Sequence, residues 1–283
     1  MTERSEFFVS APELAERLEN NQPKCVDASW YLPAMERDGK AEFSTARIPG
    51  AVHFDIDAIA DTSSDLPHML PSPDAFGDAA GALGLGEQDE IVVYDGPGLF
   101  SAARVWWTLK VMGARNVRIL EGGFDRWKEA GYPVETATPQ TPKAATFKPR
   151  FQADRVWGFD RMLANIRRGQ SLVLDARPFT RFSGQEAEPR PGLASGHVPG
   201  SRTLAASDVV REGSLLPADE LSAKLREVAA NKAEHVVTSC GSGVTAAILT
   251  LALDVCGYEN HALYDGSWAE WGSRREAPVA RWA

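Results

Sequence analysis

Cysteine is scarce in this chain: Cys25, Cys240 and Cys256 are the three among 283 residues, an odd number with no C-x-x-C pair. That usage argues against a disulfide framework and a zinc ribbon, and fits a reducing cytoplasm. No apolar run approaches the ~18 residues of a membrane span. The N-terminus, MTERSEFFVS, has two glutamates and no basic stretch leading into an apolar one, so neither a secretory signal nor a transit peptide is expected. Basic residues are in deficit, 30 Lys and Arg against 39 Asp and Glu, for a net charge of -9. That sign repels phosphate backbones and anionic lipid, which points to a small-molecule or protein partner, with no nucleic acid and no membrane. What is abundant is ordinary for a folded chain: 43% hydrophobic and 24% charged residues, over a length that suits two domains.

The sequence contains one unit twice. KCVDA at 24–28 resembles SLVLDA at 171–176, each a short apolar strand ending in Asp, at Asp27 and Asp175. ARIPGAVHFDID around Ile48 resembles GHVPGSRTLAASD around Val198, and LPSPDAFGDAAGAL from Leu70 parallels LPADELSAKL from Leu216. IVVYDG at 91–96 aligns with HVVTSCG at 235–241, which sets Asp95 opposite Cys240, and ILEGGFDRW matches ALYDGSWAEW. Matched positions stay about 145 residues apart, as a duplicated domain requires. Short apolar strands alternate with helical patterns in each copy, the signature of a parallel sheet covered on both faces, so the fold class is α/β, twice. Ser10 to Glu13 has a capping-box pattern, which predicts a helix leading into the first strand. The domains are expected at 1–135 and 153–283, joined by a linker at 136–152 rich in Thr and Pro.

Chemistry concentrates at Cys240. HVVTS reads as a strand and Ala246 to Gly257 as a helix, so Cys240-Gly241-Ser242-Gly243-Val244-Thr245 is the connecting loop. Ligands of open parallel sheets sit at such carboxyl ends. Two glycines let the loop curl around one atom, and its N–H groups together with the helix dipole favour negative charge on sulfur, so a reactive thiolate is expected. The bland reading, a cysteine that is merely a small buried hydrophobe, suits Cys25 within a strand and Cys256 within a helix far better. A phosphatase loop would need an arginine just after it to clamp phosphate. The position six residues after Cys240 is Ala246, which removes most support for phosphate chemistry.

The repeat, HVPG, the six-residue cysteine loop and the closing YDGSWAEW together resemble the tandem rhodanese family over nearly the whole chain. The resemblance implies two rhodanese-like domains, the second catalytic. The uncharged loop C-G-S-G-V-T is similar to the 3-mercaptopyruvate sulfurtransferase branch, whereas thiosulfate sulfurtransferases typically carry Arg and Lys after the cysteine. A neutral loop also suits a donor with one carboxylate better than a doubly charged oxyanion. From the same resemblance, RFSGQEAEPRPG implies that Arg181 and Arg190 hold the donor's carboxylate and keto oxygen, a role that suits planar guanidinium. HFDIDAIADTSSDLPHMLP implies that Asp57 and His68 face the cysteine and form a Ser-His-Asp relay with Ser242. Taken alone, two arginines in a polar loop and a histidine between prolines read as surface residues.

The remaining features read as structural. Asp95 cannot carry transferable sulfur. GLFSAARVWW is the first-copy counterpart of the loop, in which Ser101 and Arg104 would shape the cleft, Trp106 and Trp107 read as packing, and His197 as a turn-fixing residue. The implied reaction moves sulfur through a Cys240 persulfide to thioredoxin, a small thiol or cyanide, with no metal or organic cofactor. Two rivals stand beside it: a thiosulfate sulfurtransferase, and a non-catalytic rhodanese-like module that recruits a protein.

Overall fold

The computed structural model describes residues 3–20 and 23–282. The first copy runs β1 (Phe8–Val9), α1 (Ala11–Leu18), β2 (Lys24–Asp27), α2 (Gly39–Thr45), β3 (Val52–His53), α3 (Pro73–Ala82), β4 (Glu90–Tyr94), α4 (Ala102–Val111), β5 (Asn116–Leu120) and α5 (Gly123–Glu129). The second runs β6 (Val156–Trp157), α6 (Phe159–Arg168), β7 (Leu172–Asp175), α7 (Phe179–Ser183) and β8 (Arg202–Thr203), then the pair β9 (Val210–Arg211) and β10 (Ser214–Leu215). It closes with α8 (Ala218–Glu227), β11 (Val236–Ser239), α9 (Ala246–Val255), β12 (His261–Tyr264) and α10 (Ser267–Trp271).

Each copy folds into a five-stranded parallel sheet, ordered β1-β5-β4-β2-β3 and β6-β12-β11-β7-β8, with β4 and β11 in the middle. The central strands are covered on both faces, which is why IVVY and VVTS run apolar without alternation. One correction concerns the start of the chain: α1 is preceded by β1 and leads into the second strand, β2. Two-residue edge strands such as β1 and β6 are too short for any periodicity to show. Ser10 accepts the Glu13 N–H as expected, but the Glu13 carboxylate turns to Arg118, 2.8 Å away, instead of back to the cap.

The helices that follow the two matched loops, α4 and α9, pack on each other across the domain boundary. Val105, Leu109, Ile248 and Leu251 belong to one continuous apolar cluster, so the two sheets share a core and the two loops are held side by side. Trp106 and Trp107 are buried in it. The 136–152 segment has no helix or strand, yet it is strapped down rather than loose. Its Ala145 N–H donates to Gly81 O, and Phe147 packs edge-on against Phe76. A β-carbon at Gly81 would lie 2.7 Å from Ala145 O, so the small residues of α3 make the bed for this strap.

Candidate active site

Cys240 sits at the carboxyl end of the central strand β11, buried, with α9 beginning six residues later. The start of α10 grips the loop from outside. Trp268 N–H donates to Cys240 O at 2.9 Å, Ala269 N–H to Gly241 O at 2.9 Å, and Cys240 N–H to Ser267 Oγ at 3.2 Å. Ser267 holds a left-handed φ of 47°, where the first copy has Gly123 at 63°. A side chain in that conformation is strained, and here its hydroxyl is used to fix the cysteine backbone. Gly243 needs to be glycine for two reasons: its φ is 79°, and a β-carbon would lie 2.7 Å from Arg104 Nη1.

The first copy reveals what such a loop does. Asp95, in the Cys240 position and fully buried, accepts N–H bonds from Gly98 at 2.7 Å, Phe100 at 2.9 Å and Ala102 at 2.8 Å. Burial pushes this carboxyl above its usual range, while the backbone donors pull against that, Ala102 first. The loop thus curls its amides around an acidic group that the chain itself supplies. In the second copy the N–H groups of Gly241 to Thr245 have no acceptor among the described residues. The other two cysteines differ: burial pushes the Cys25 thiol up to about 12 and also raises Cys256, which suppresses their thiolates.

Arg181 lies over this loop, its Nη2 placed 3.2 Å from where a Gly241 β-carbon would be. It is set there by a buried chain of charges. Arg177 pairs with Asp175 at 2.7 Å and with Glu188 at 2.6 Å, and Glu188 in turn binds Arg181 through both Nη2 and Nε. Arg190 is half-buried and near enough to Asp57 to help lower its carboxyl.

From the first domain, His68 Nδ1 lies 2.9 Å from Asp57 Oδ1. Trp30 completes this pair, donating its indole N–H to Asp57 Oδ2 at 2.8 Å and setting its ring edge-on to His68. The Asp57 carboxyl is held below the ordinary carboxylate range, by His68 first and then by Trp30 and Arg190, against a contrary pull from partial burial. The His68 backbone is left-handed, with φ 60°. Both His68 ring nitrogens are buried without a well-directed hydrogen bond among the described residues, Nδ1 meeting Asp57 as a 2.9 Å ion-pair contact and Nε2 meeting no polar partner, so the relay is in contact at Asp57 and not joined to Ser242. Arg104 bridges the two sides, donating to both His68 O and Gly243 O.

Among residues that the sequence reading left unassigned, Trp30, Glu188, Asp265 and Ser267 all contact this region. Glu188 lies inside the motif that pointed to Arg181, and Asp265 and Ser267 lie inside YDGSWAEW, so their place was visible though their partners were not. His197, by contrast, ties its segment to α7: its Nδ1 meets Phe182 O at 2.8 Å and its ring stacks on Phe182.

The model of the rhodanese-like domain matches residues 10–130 and 159–274. The chain belongs to the rhodanese family. It is 39% identical over 274 residues to the 3-mercaptopyruvate sulfurtransferase of Escherichia coli K12, covering 96% of this chain and 97% of that protein. It is 38% identical over 296 residues to the mitochondrial thiosulfate/3-mercaptopyruvate sulfurtransferase 1 of Arabidopsis thaliana, covering 97% of this chain and 78% of that one. The crystal structure of the Tum1 protein from Saccharomyces cerevisiae superposes with a TM-score of 0.87 at 33% identity, covering 98% of each chain. Both copies are therefore rhodanese domains, and among the described residues no helix is long and apolar enough to cross a membrane.

Proposed function

We propose that this rhodanese is a 3-mercaptopyruvate sulfurtransferase whose sulfur carrier is Cys240. The Cys240 thiolate attacks the sulfur of 3-mercaptopyruvate. An S–S bond forms, the S–C bond breaks, and its electron pair leaves as the pyruvate enolate. A proton delivered to the enolate carbon by Ser242 and His68, oriented by Asp57, yields pyruvate. Arg181 and Arg190 hold the donor's carboxylate and keto oxygen, while Gly241, Gly243, Val244 and Thr245 line the sulfur with backbone N–H groups. An acceptor thiolate, on thioredoxin or a small thiol, or cyanide, then takes the outer sulfur and returns Cys240 as thiolate.

The observation that carries this reading is the pair of matched loops: one wraps its amides round the Asp95 carboxyl, and in the other, with Cys240 at the matching position, the N–H groups of Gly241 to Thr245 have no acceptor among the described residues. A loop that stabilises an acidic group by backbone alone suits a sulfur anion and adds no side-chain charge to attract a doubly charged donor. Thiosulfate is the second reading, because the Arabidopsis relative carries both donors in its name. We place the catalytic domain at 153–283, the first domain at 1–135 and the strap at 136–152, in a reducing cytoplasm that keeps all three cysteines free. Steady-state transfer to cyanide with each donor in turn tests the assignment. A kcat/KM for 3-mercaptopyruvate well above that for thiosulfate is expected; the reverse order would overturn the donor, and no turnover with either would leave a binding module.

A further inference from the structure

We propose that Arg104 is the positioning residue that clamps the His68 turn of the first domain onto the Cys240 loop of the second. The proposal rests on the reading of Cys240 as sulfur carrier. Among the described residues, Arg104 is the one first-domain side chain that hydrogen-bonds the loop. Its Nη1 donates to Gly243 O at 3.4 Å, its Nη2 donates to His68 O and lies 2.8 Å from Asp265 Oδ1, and its guanidinium stacks 4.6 Å over Trp107. Asp265 closes the circuit by accepting the Leu70 N–H at 2.8 Å. Both charges are buried, with side chains 3% and 5% exposed, so the ion pair is little screened.

The duplication supplies an internal comparison. At the seam beside Asp95 the nearest parallel is Arg4: it pairs with Glu121 of its own domain, the counterpart of Asp265, and donates to Leu215 O at 2.8 Å and Leu216 O at 3.2 Å without bonding the Asp95 loop. There the partners are 36% and 33% exposed. Each domain thus sends one segment across the other's loop and has it gripped by an Arg–carboxylate pair, but the pair is dry only where the cysteine is. The gripped turn carries His68 at φ 60°, a left-handed backbone uncommon outside glycine that neighbouring contacts must constrain where it positions a side chain. Arg104 supplies that constraint and aims the imidazole without itself touching the donor.

The test is a double-mutant cycle on the full chain, with Arg104→Lys, His68→Ala and both together, using 3-mercaptopyruvate and cyanide. Arg104→Lys is expected to lower kcat about 30-fold and to change KM less than about threefold, because the arginines assigned to the donor sit on the other domain. His68→Ala is expected to lower kcat too, and the double variant is expected to be no slower than His68→Ala alone. Multiplying effects, an unaffected Arg104→Lys or an unaffected His68→Ala would each overturn the proposal. Should Arg104→Lys fail to fold, Asp265→Asn takes its place in the cycle under the same criterion. Failure of the underlying reading looks different: the wild type would not turn over, or Cys240→Ser would.

Discussion

Replacing Asp95 with alanine should unfold the first domain's loop energetically while sparing the chemistry of the second. Three backbone N–H groups, two buried and Phe100's part-buried, at 2.7, 2.9 and 2.8 Å, lose their acceptor together. An orphaned buried donor costs roughly 1–3 kcal/mol, and partial relaxation of the loop recovers some of it, so a loss of about 4 kcal/mol is expected. For a chain of this size that lowers Tm by about 10 °C. Asp95→Asn keeps one oxygen but turns an NH2 group toward N–H donors, so it should fall between the two, near 2 kcal/mol. Urea unfolding of the three proteins measures this directly. The kcat per folded molecule should stay within about threefold of wild type, since Cys240 lies in a separate loop. A loss below about 1 kcal/mol for alanine, or an asparagine variant as stable as wild type, would refute the view of this loop as an amide cradle.

Glu188→Gln should cost about 3 kcal/mol, because two guanidiniums lose a buried partner, and it should raise KM for 3-mercaptopyruvate as Arg181 loses its alignment; an unchanged KM would remove Arg181 from donor binding. The Asp57 carboxyl lies below its ordinary range in the folded chain, so it stays ionised throughout an activity profile from about pH 5 to 9, and no step there belongs to it. The linkage has the sign of a depressed acid: its stabilisation is present above the unfolded pKa and lost as pH falls through the lower folded value. Asp57 is half-exposed, so the effect on urea midpoints should be small and confined to acid pH, and absent in Asp57→Asn.

The duplication was legible because the loops keep their letters: IVVYDG and HVVTSCG align Asp95 with Cys240 without any knowledge of the fold. The central strands were legible for the same reason that they are central, being apolar at every position. β1 and β6 were not, because two residues at a sheet edge leave no pattern, nor was the β9–β10 turn. There Glu212 and Gly213 both take positive φ to form a tight hairpin, whose tip packs against Gly98 of the first domain. The strap at 136–152 looked like a free connector because its anchors, Gly77 and Gly81, lie far back in the chain. The same limit applies at the site. The family resemblance pointed to Arg181, Asp57 and His68, but the contacts of Leu70 with Asp265 and of Arg104 with Gly243 span 195 and 139 residues, and they form only once the two domains pack together, α4 on α9.

The most direct test of the account is the mass of the protein after 3-mercaptopyruvate is added without an acceptor, followed by peptide mapping. The account predicts one added sulfur atom on the peptide that contains Cys240, formed with one pyruvate per chain, released as thiocyanate by cyanide and absent in Cys240→Ser. Pyruvate formed by a protein that gains no sulfur, or sulfur found on Cys25 or Cys256 instead, would contradict it.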